Sequence, residues 1–434
     1  NRFSARDLER RSLSTGLRLR GQITDTIELE ANVNRFTVLR DESRSSFAHP
    51  DDPEHTLDGQ VSDFGDTGWE TAEVKVYFND LGVQGLGLVA GTRMESYELN
   101  LDIYDSTNYI AGSKDTFTSR SGGETEIFAT FAQLNWQINE QWDTAFGLRY
   151  EEFESSNGYF DNDDPATSVF DVTQVPSRSS SETSPKLSVG YQPNYDWSFR
   201  YSIAKAYRFP IVEELFSQFE AYNSISVANP VLAPEDGLHH NLMAERTLEN
   251  GYIRVNYFTE TIKDAIESQS TILDNSISLR TFIPVDELET SGVEFIVNAQ
   301  DLFIPNLDIR FNTVYTDSEI TKNDPNPSIE GNVYPRMPEW RSNLLATYHL
   351  RNNWDIGANV QYASDSFGRI DNSDDEDNVY GAQDGYTRIG FKSTYYLNNG
   401  MSLGLGVDNL TDEVAFVAHP WPGRTFYANF SYDF

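Results

Sequence analysis

The chain has 434 residues, no cysteine, 13% aromatic side chains and a formal net charge of −36 at pH 7. The acidity argues against nucleic-acid binding, which needs a basic face. The lack of cysteine excludes disulfides and thiolate metal sites. No run of ~20 apolar residues is present, so no membrane-spanning helix is expected. A membrane β-barrel stays open, because each of its strands needs only ~5 lipid-facing residues.

The first part of the chain alternates apolar and polar residues, as strands with two different faces do. Leu13–Ile23 and Ile27–Val33 alternate on either side of a Thr24-Asp25 turn, which predicts a β-hairpin. No signal peptide is visible before them, which indicates a mature or a truncated chain. The next expected features are a long acidic insert at Arg40–Gly68 and strands near Thr71–Phe78 and Leu86–Leu101.

The alternation is clearest in the middle of the chain. Phe128–Ile138 and Trp142–Tyr150 flank a turn at Asn139-Glu140, and Leu187–Tyr191 is expected to pair with Trp197–Ile203. Further tight turns are predicted at Pro193–Asp196, Glu249–Gly251, Phe303–Asn306, Arg351–Asn353 and Leu397–Gly400. Long polar inserts are predicted at Glu154–Thr183, Pro210–Asp236, Asp317–Pro335, Asp365–Gly385 and Asp412–Trp421.

Short turns and long loops therefore alternate along the chain, as they do in outer-membrane barrels with short periplasmic turns and long external loops. The last ten residues support this interpretation, because one face of that strand is rich in aromatic residues. A soluble edge strand usually avoids such a row. The aromatic residues of this face, predicted to act as a barrel-assembly signal, are Phe426, Phe430, Tyr432 and Phe434. The alternative is that the last ten residues form a strand of a soluble β-sandwich.

Counting back from a last strand that runs toward the periplasm gives about 17 strands, and the first of them also runs toward the periplasm. A closed, fully antiparallel barrel needs an even number. Either one strand is miscounted or the chain lacks the beginning of its barrel. The opening residues Asn1–Arg11 look like the tail of an external loop, which favours the second explanation.

Several short motifs follow one another from residue 184 to the end of the chain. They are SPKLSVGY at Ser184–Tyr191, YRFP at Tyr207–Pro210, EELF at Glu213–Phe216, NPVLAPE at Asn229–Glu235, SGVEF at Ser291–Phe295, DNLTD at Asp408–Asp412, and PGRTF at Pro422–Phe426 with the terminal Phe434. Their order and spacing resemble the barrel of TonB-dependent outer-membrane receptors.

This resemblance implies an all-β fold, a transmembrane antiparallel β-barrel of the 22-stranded, plugged type. Residues 1–434 would be the β-barrel domain, as the C-terminal portion of a longer receptor whose plug, TonB box and first strands are missing here. The implied function is uptake of a scarce ligand, most often a ferric siderophore or other iron complex, driven by the TonB complex through the plug. Cobalamin, carbohydrate or another metal complex are alternative ligands. A passive porin-like or adhesin-like barrel is the alternative class.

Two sets of side chains are candidates for the receptor site. Aromatic residues of the external loops and upper lumen that could stack on a ligand are Phe216, Phe219, Tyr222, Tyr334, Phe367, Tyr380 and Trp421. Cations expected to face the lumen, where they either pair with a plug or line a wet interior, are Arg149, Lys186, Arg200, Arg254, Arg310, Arg388 and Lys392. The same aromatic residues also suit the interfacial girdle of a barrel.

Catalytic and metal signatures are weak. The chain has no HExxH, GxSxG or Walker-type motif, so neither enzymatic activity nor a cofactor is predicted. The acidic run at Asp371, Asp374, Asp375 and Asp377 offers oxygen ligands for Ca²⁺, or is a solvated loop. His239 and His240 should point to opposite faces of a strand. Expected partners are outer-membrane lipid, a small ligand and, as a further candidate, a surface lipoprotein.

Overall fold

The structure, a computed structural model, describes residues 6–53, 55–163, 170–221, 224–273, 277–397 and 400–433. Its 23 strands are β1 Arg6–Gln22, β2 Ile27–Ser46, β3 Gly59–Asp63, β4 Gly68–Phe78, β5 Leu86–Ser106, β6 Thr116–Gln137, β7 Trp142–Asp163, β8 Phe170–Val175, β9 Arg178–Tyr191, β10 Trp197–Arg208, β11 Phe219–Ala221, β12 Ser224–Val227, β13 Glu235–Leu248, β14 Gly251–Ile272, β15 Ser278–Gln300, β16 Leu307–Lys322, β17 Trp340–Arg351, β18 Trp354–Ala363, β19 Tyr386–Tyr396, β20 Met401–Asp408, β21 Phe416–Val417, β22 His419–Pro420 and β23 Thr425–Tyr432.

One helix, α1, covers Val212–Phe216, and a short 3-10 helix covers Pro327–Ile329. In the part of the chain that the structure describes, no helix has the length and apolar character needed to cross a membrane.

The main sheet has 21 strands, of which β3, β8, β11 and β12 are short strands of the external connections. The other seventeen form one ladder in which each strand pairs antiparallel with the next, from β1 through to β23. The predicted all-β barrel with about 17 strands is confirmed. Within the described ranges, no pairing joins β1 to β23. A continuous ladder satisfies the backbone polar groups that lipid cannot.

The two faces of the ladder differ in chemistry. Large apolar side chains alternate along the outward face and stay exposed, as Phe146 and Leu148 do on β7. Phe426, Phe430 and Tyr432 are exposed on β23, the first of them by 75%, whereas Phe434 lies outside the described residues. An apolar surface of this kind is what lipid requires. The role of these aromatic residues in barrel assembly stays a prediction.

The predicted tight turns are confirmed where the structure describes them, whereas residues 398 and 399 of the turn predicted at Leu397–Gly400 lie outside the described residues. The strands are longer on the external side than the alternation indicated. The insert expected at Arg40–Gly68 contains the end of β2 and all of β3. The insert expected at Glu154–Thr183 contains the end of β7, β8 and the start of β9. Residues 6–11, interpreted as loop, belong to β1. Above the membrane both faces meet water, so apolar alternation disappears while backbone pairing continues.

The face assignment predicts different effects for two arginine substitutions at the same depth. Gln133 pairs with Gly147 on the inner face, and Leu148 is the next residue on the lipid side. Leu148→Arg is expected to lower the free energy of unfolding by about 2–4 kcal/mol, because it places a charge in hydrocarbon. Gln133→Arg should change it by only about 0.5 kcal/mol. Denaturant unfolding in lipid vesicles measures both, and equal losses would contradict the assignment.

Candidate functional site in the mouth of the barrel

The connection between β10 and β13 folds into the barrel and packs against its wall. Its helix α1 lies against β5, β6 and β7. Phe216, at the end of α1, is only 1% exposed and packs with Leu99 and Phe153. Its ring occupies space that two glycines leave open. A Cβ on Gly123 would lie 2.6 Å from Phe216 Cδ2, and one on Gly158 would collide with the other side of the ring. Phe216 therefore anchors the loop.

A charged network holds the base of the same loop. Arg208, the last residue of β10, donates to both carboxylate oxygens of Glu214 at 3.0 and 3.2 Å. It also donates to Glu235, the first residue of β13, at 2.8 Å. The same Glu235 oxygen accepts the backbone N–H of Ile266 at 2.7 Å. The Arg208 network thus ties both ends of the loop and α1 to strand β14.

Asn229 extends this fastening to the next strand. Its backbone N–H donates to the Glu214 carbonyl at 2.8 Å, and its side-chain amide donates to the Phe282 carbonyl on β15 at 2.9 Å. Charge-assisted hydrogen bonds of buried or half-buried groups are strong and geometrically specific. Motif residues from YRFP, EELF and NPVLAPE therefore meet in one structural cluster.

A second loop, between β20 and β23, also turns toward the inner face. Asn409 is buried in the left-handed conformation (φ 51°), and its amide donates to the carbonyls of Glu413 at 2.9 Å and Pro422 at 3.3 Å. The loop brings the Trp421 ring within 5.0 Å of Tyr386 and places the Arg388 guanidinium 4.8 Å from it. Trp421 is thus held at the outer end of the lumen, where its ring packs against the lumen-facing guanidinium of Arg388.

The other predicted aromatic residues occupy different environments. Phe216 is buried under the loop, so its ring offers no open face in this arrangement, and ligand stacking by this set of residues stays a prediction. Phe219 and Phe367 are half-buried in external connections. Tyr380 is 55% exposed and packs edge-on against Phe416. Tyr222 lies outside the described residues. The structure brings Trp421 to the lumen but does not gather these rings at one point.

Tyr334 lies above the membrane in the connection between β16 and β17. Its hydroxyl donates to Glu267 on the external extension of β14 at 2.8 Å. Burial, together with the neighbouring carboxylate, raises the pKa of the Tyr334 phenol, so it remains a donor at neutral pH. Glu267 also lines a cavity of about 270 Å³ with Arg336 and Arg369.

The predicted lumen cations fall into two groups. Three have carboxylate partners within the barrel wall: Arg149 with Glu151 at 2.8 Å, Arg200 with Asp143 at 2.7 Å and Arg254 with Glu245 at 2.8 Å. These three need no plug for neutralisation. The other four, for which no carboxylate lies within 4 Å in the described chain, are Lys186, Arg310, Arg388 and Lys392. Arg149 and Lys186 line a cavity of about 620 Å³ on the inner wall between β4 and β10.

The acidic run folds on itself. Asp374 accepts the backbone N–H groups of Gly368 at 2.7 Å and Arg369 at 3.1 Å, and Asp371 accepts the Ser373 hydroxyl at 2.8 Å. Among the residues described, no three His, Asp or Glu side chains converge as a metal site. Asp375 and Asp377 lie in the same external loop. Calcium binding here stays a prediction.

The adjacent histidines of β13 point to opposite faces, as predicted. His239 contacts Glu260 at 2.9 Å on the inner face, and His240 contacts the Tyr201 hydroxyl at 2.8 Å on the outer face. They cannot bind one metal ion together.

Sequence reasoning missed the residues that hold the loops. Arg208, Glu214 and Glu235 lie inside the quoted motifs, but the motifs alone do not show that these side chains meet. Gly123 and Gly158 carry no sequence signal beyond being glycine in a strand, which can mark close approach of another group. Arg341 also faces the lumen, on β17, and alternation could have identified it.

The comparisons with known proteins agree with this geometry. The sequence model of the family "TonB dependent receptor-like, beta-barrel" matches residues 1–410. The probable TonB-dependent receptor BfrD of Bordetella pertussis is 22% identical over 325 residues, which are 71% of this chain and 41% of that protein. The chain therefore spans about two fifths of the length of this curated relative.

Solved structures show the same fold at low sequence identity. The ferric yersiniabactin uptake receptor FyuA of Yersinia pestis is 16% identical with a TM-score of 0.72, covering 98% of this chain and 61% of that one. The copper transporter OprC is 16% identical with a TM-score of 0.76, covering 99% and 68%. The fold and wall chemistry define an outer-membrane β-barrel. The chain belongs to the β-barrel family of TonB-dependent receptors.

The Arg208 network predicts that one substitution releases the loop without unfolding the barrel. Arg208→Met leaves the buried Glu214 carboxylate without its cation, at a cost of about 1.5–3 kcal/mol. Backbone hydrogen exchange in residues 209–234 should become roughly 10- to 100-fold faster. Arg200→Met, on the same strand, is the matched control because Arg200 pairs with Asp143. Equal protection of the loop in both variants would contradict this role.

The packing of Phe216 predicts a coupled pair of substitutions. Gly123→Ala forces the ring out of its site and should destabilise the loop by about 1–3 kcal/mol. Combined with Phe216→Ala, it should add little, because the ring that it displaces is gone. Gly357→Ala is the control, since its Cβ would meet nothing closer than 3.7 Å. Limited proteolysis of residues 209–234 reads out the effect, and additive losses would count against the packing.

Proposed function

We propose that this chain is the barrel portion of an outer-membrane receptor that captures a scarce ligand outside and passes it to the periplasm. The observation that carries the proposal is the inward folding of two external loops, anchored by Phe216 and the Arg208 network and by Asn409. Loops fastened in this way hold their side chains in fixed positions at the mouth, as selective binding of a ligand requires.

The proposed ligand is a ferric siderophore or another iron complex. Support comes from solved receptors of the same fold whose ligands are ferric yersiniabactin, for FyuA, and ferric citrate, for FecA. A copper transporter shares the fold as well, so a different metal complex is the second candidate. At 14–16% identity these likenesses describe the fold, and they suggest the ligand class by analogy only.

The proposal includes energy input from the TonB complex through a plug domain carried by a longer protein. Support comes from the family and from the 60–68% of the FyuA, OprC and FecA chains that this chain covers. The plug would lie against the lumen-facing side chains of the barrel. No covalent chemistry is needed, because the ligand is bound outside, occluded and released inside.

The proposal predicts saturable, energy-dependent uptake. Cells that express the complete receptor in place of their own should accumulate iron-55 from one member of a panel of ferric chelates at nanomolar concentration. Deletion of TonB should abolish this uptake. A ferric chelate that the receptor does not transport should not compete with the one that it does. Uptake that rises linearly with concentration and survives TonB deletion would indicate a passive barrel.

A further inference from the structure

Arg246, on β13, lies on the outer, lipid-facing side of the ladder. It follows His240 by six residues and so shares the outer face of the strand, and its side chain is exposed. The last pair of the β13–β14 hairpin is Leu248 with Gly251, so Arg246 is one outward position away from a tight turn. Tight turns lie on the periplasmic side of such a barrel. Arg246 is therefore at the depth of the lipid headgroups of the periplasmic leaflet.

Arg246 has no acidic partner on this face. No carboxylate of the described residues lies within the 4 Å that defines an ion pair. Alternation places two lysines on the same face of the neighbouring strands, and both are paired at the external ends of those strands. Lys205 contacts Asp236 at 3.0 Å. Lys263 contacts Glu287 at 3.7 Å. Because the outer face meets lipid, a domain inside the lumen could not supply a carboxylate to Arg246.

The Arg246 guanidinium lies at one end of a chain of aromatic rings. Its Cζ is 5.8 Å from the centre of the Trp197 ring, on the residue directly opposite in β10. Trp197 stacks on Phe199 at 5.8 Å. Tyr191 lies 6.5 Å from Phe199 and stacks on Trp142 at 4.3 Å. Such rings mark the membrane interface of a barrel. The ring contact orients the guanidinium but leaves its positive charge without a counter-charge.

The surface next to Arg246 is lowest toward the middle of the membrane. The next outward residue of β13 is Ala244, which stands between Phe199 on β10 and Val255 on β14. Its side chain is the smallest of the three, so a shallow apolar groove runs along β13 from the guanidinium. A cation at headgroup depth, followed by an apolar groove, matches a phospholipid with its phosphate and acyl chain.

We propose that Arg246 and Trp197 form a binding site for an anionic phospholipid of the periplasmic leaflet. The guanidinium donates to the phosphate oxygens, for which its planar fork is suited, and an acyl chain lies over Ala244. An unpaired charge that faces lipid is costly, and phosphate is the anion that this leaflet offers. The net charge of −36 does not favour anionic lipid elsewhere on the barrel. The inference rests on the outer-membrane location of the chain and not on the uptake function.

The test measures lipid preference beside Arg246 with a fluorescent label that brominated lipids quench. The chain contains no cysteine, so Ile253→Cys in the complete receptor places one label in the barrel, directly opposite Arg246. Ile356→Cys is the matched control. Both isoleucines lie two residues into a strand that follows a tight turn, but Ile356 pairs with Tyr348 and Ser393. The probes are brominated phosphatidylglycerol and brominated phosphatidylcholine, each in phosphatidylcholine vesicles.

At Ile253→Cys, phosphatidylglycerol should be preferred over phosphatidylcholine about fivefold, as expected for one arginine near a membrane surface. Adding Arg246→Gln should abolish the preference, and Arg246→Lys should keep part of it, because the charge remains without the fork. The ratio at Ile356→Cys should be near one. The same ratio at both positions, or a ratio that Arg246→Gln leaves unchanged, would overturn the proposal.

Inorganic phosphate in the buffer distinguishes a lipid site from a site for free phosphate. The preference at Ile253→Cys should persist at millimolar phosphate, because the acyl chain holds the lipid in the groove. Its loss would assign Arg246 to free phosphate and contradict a lipid site. The vesicles contain no ferric chelate, so this proposal and the uptake function can fail independently.

Discussion

The structure depends on one constraint: in lipid, every backbone N–H and C=O must be hydrogen-bonded by the protein itself. Seventeen antiparallel strands meet it with a continuous ladder from β1 to β23, except along the outer edges of β1 and β23, which do not pair with each other in the described residues. Because side chains alternate across that ladder, one face must be apolar and the other is free to be polar. The lumen cations, the anchored loops and Trp421 all lie on the inner face of the ladder, which does not contact lipid.

The loops show how such a wall is turned into a site. Strands extend above the membrane as a paired rim, and the loop after β10 returns into the mouth and is fixed there by Phe216 and Arg208. The motif residues act mainly by holding the loops in place. Arg208, Glu214 and Glu235 come from three different motifs and contact one another, and Asn409 organises the last loop.

Alternation and turn chemistry predicted the barrel, its tight turns and the inward direction of cations such as Arg149 and Arg388. They failed where lipid no longer imposes a pattern: the strand ends above the membrane in β2 and β7 were interpreted as loops. The burial of Phe216 also could not be predicted, since it depends on Gly123 and Gly158, which are distant in sequence. Pairing between cation and acid needs register, so the carboxylate partners of Arg149, Arg200 and Arg254 became visible only in the structure.

The central claim, that this barrel works as a TonB-driven receptor, requires a plug joined to it. The most direct measurement is the intact mass of the native protein purified from outer membranes. We predict a mass well above the 49.2 kDa of this chain, because the proposed function places a plug and further strands on the same polypeptide. A mass equal to 49.2 kDa would mean that no plug is attached, and it would contradict energised uptake in favour of a passive barrel.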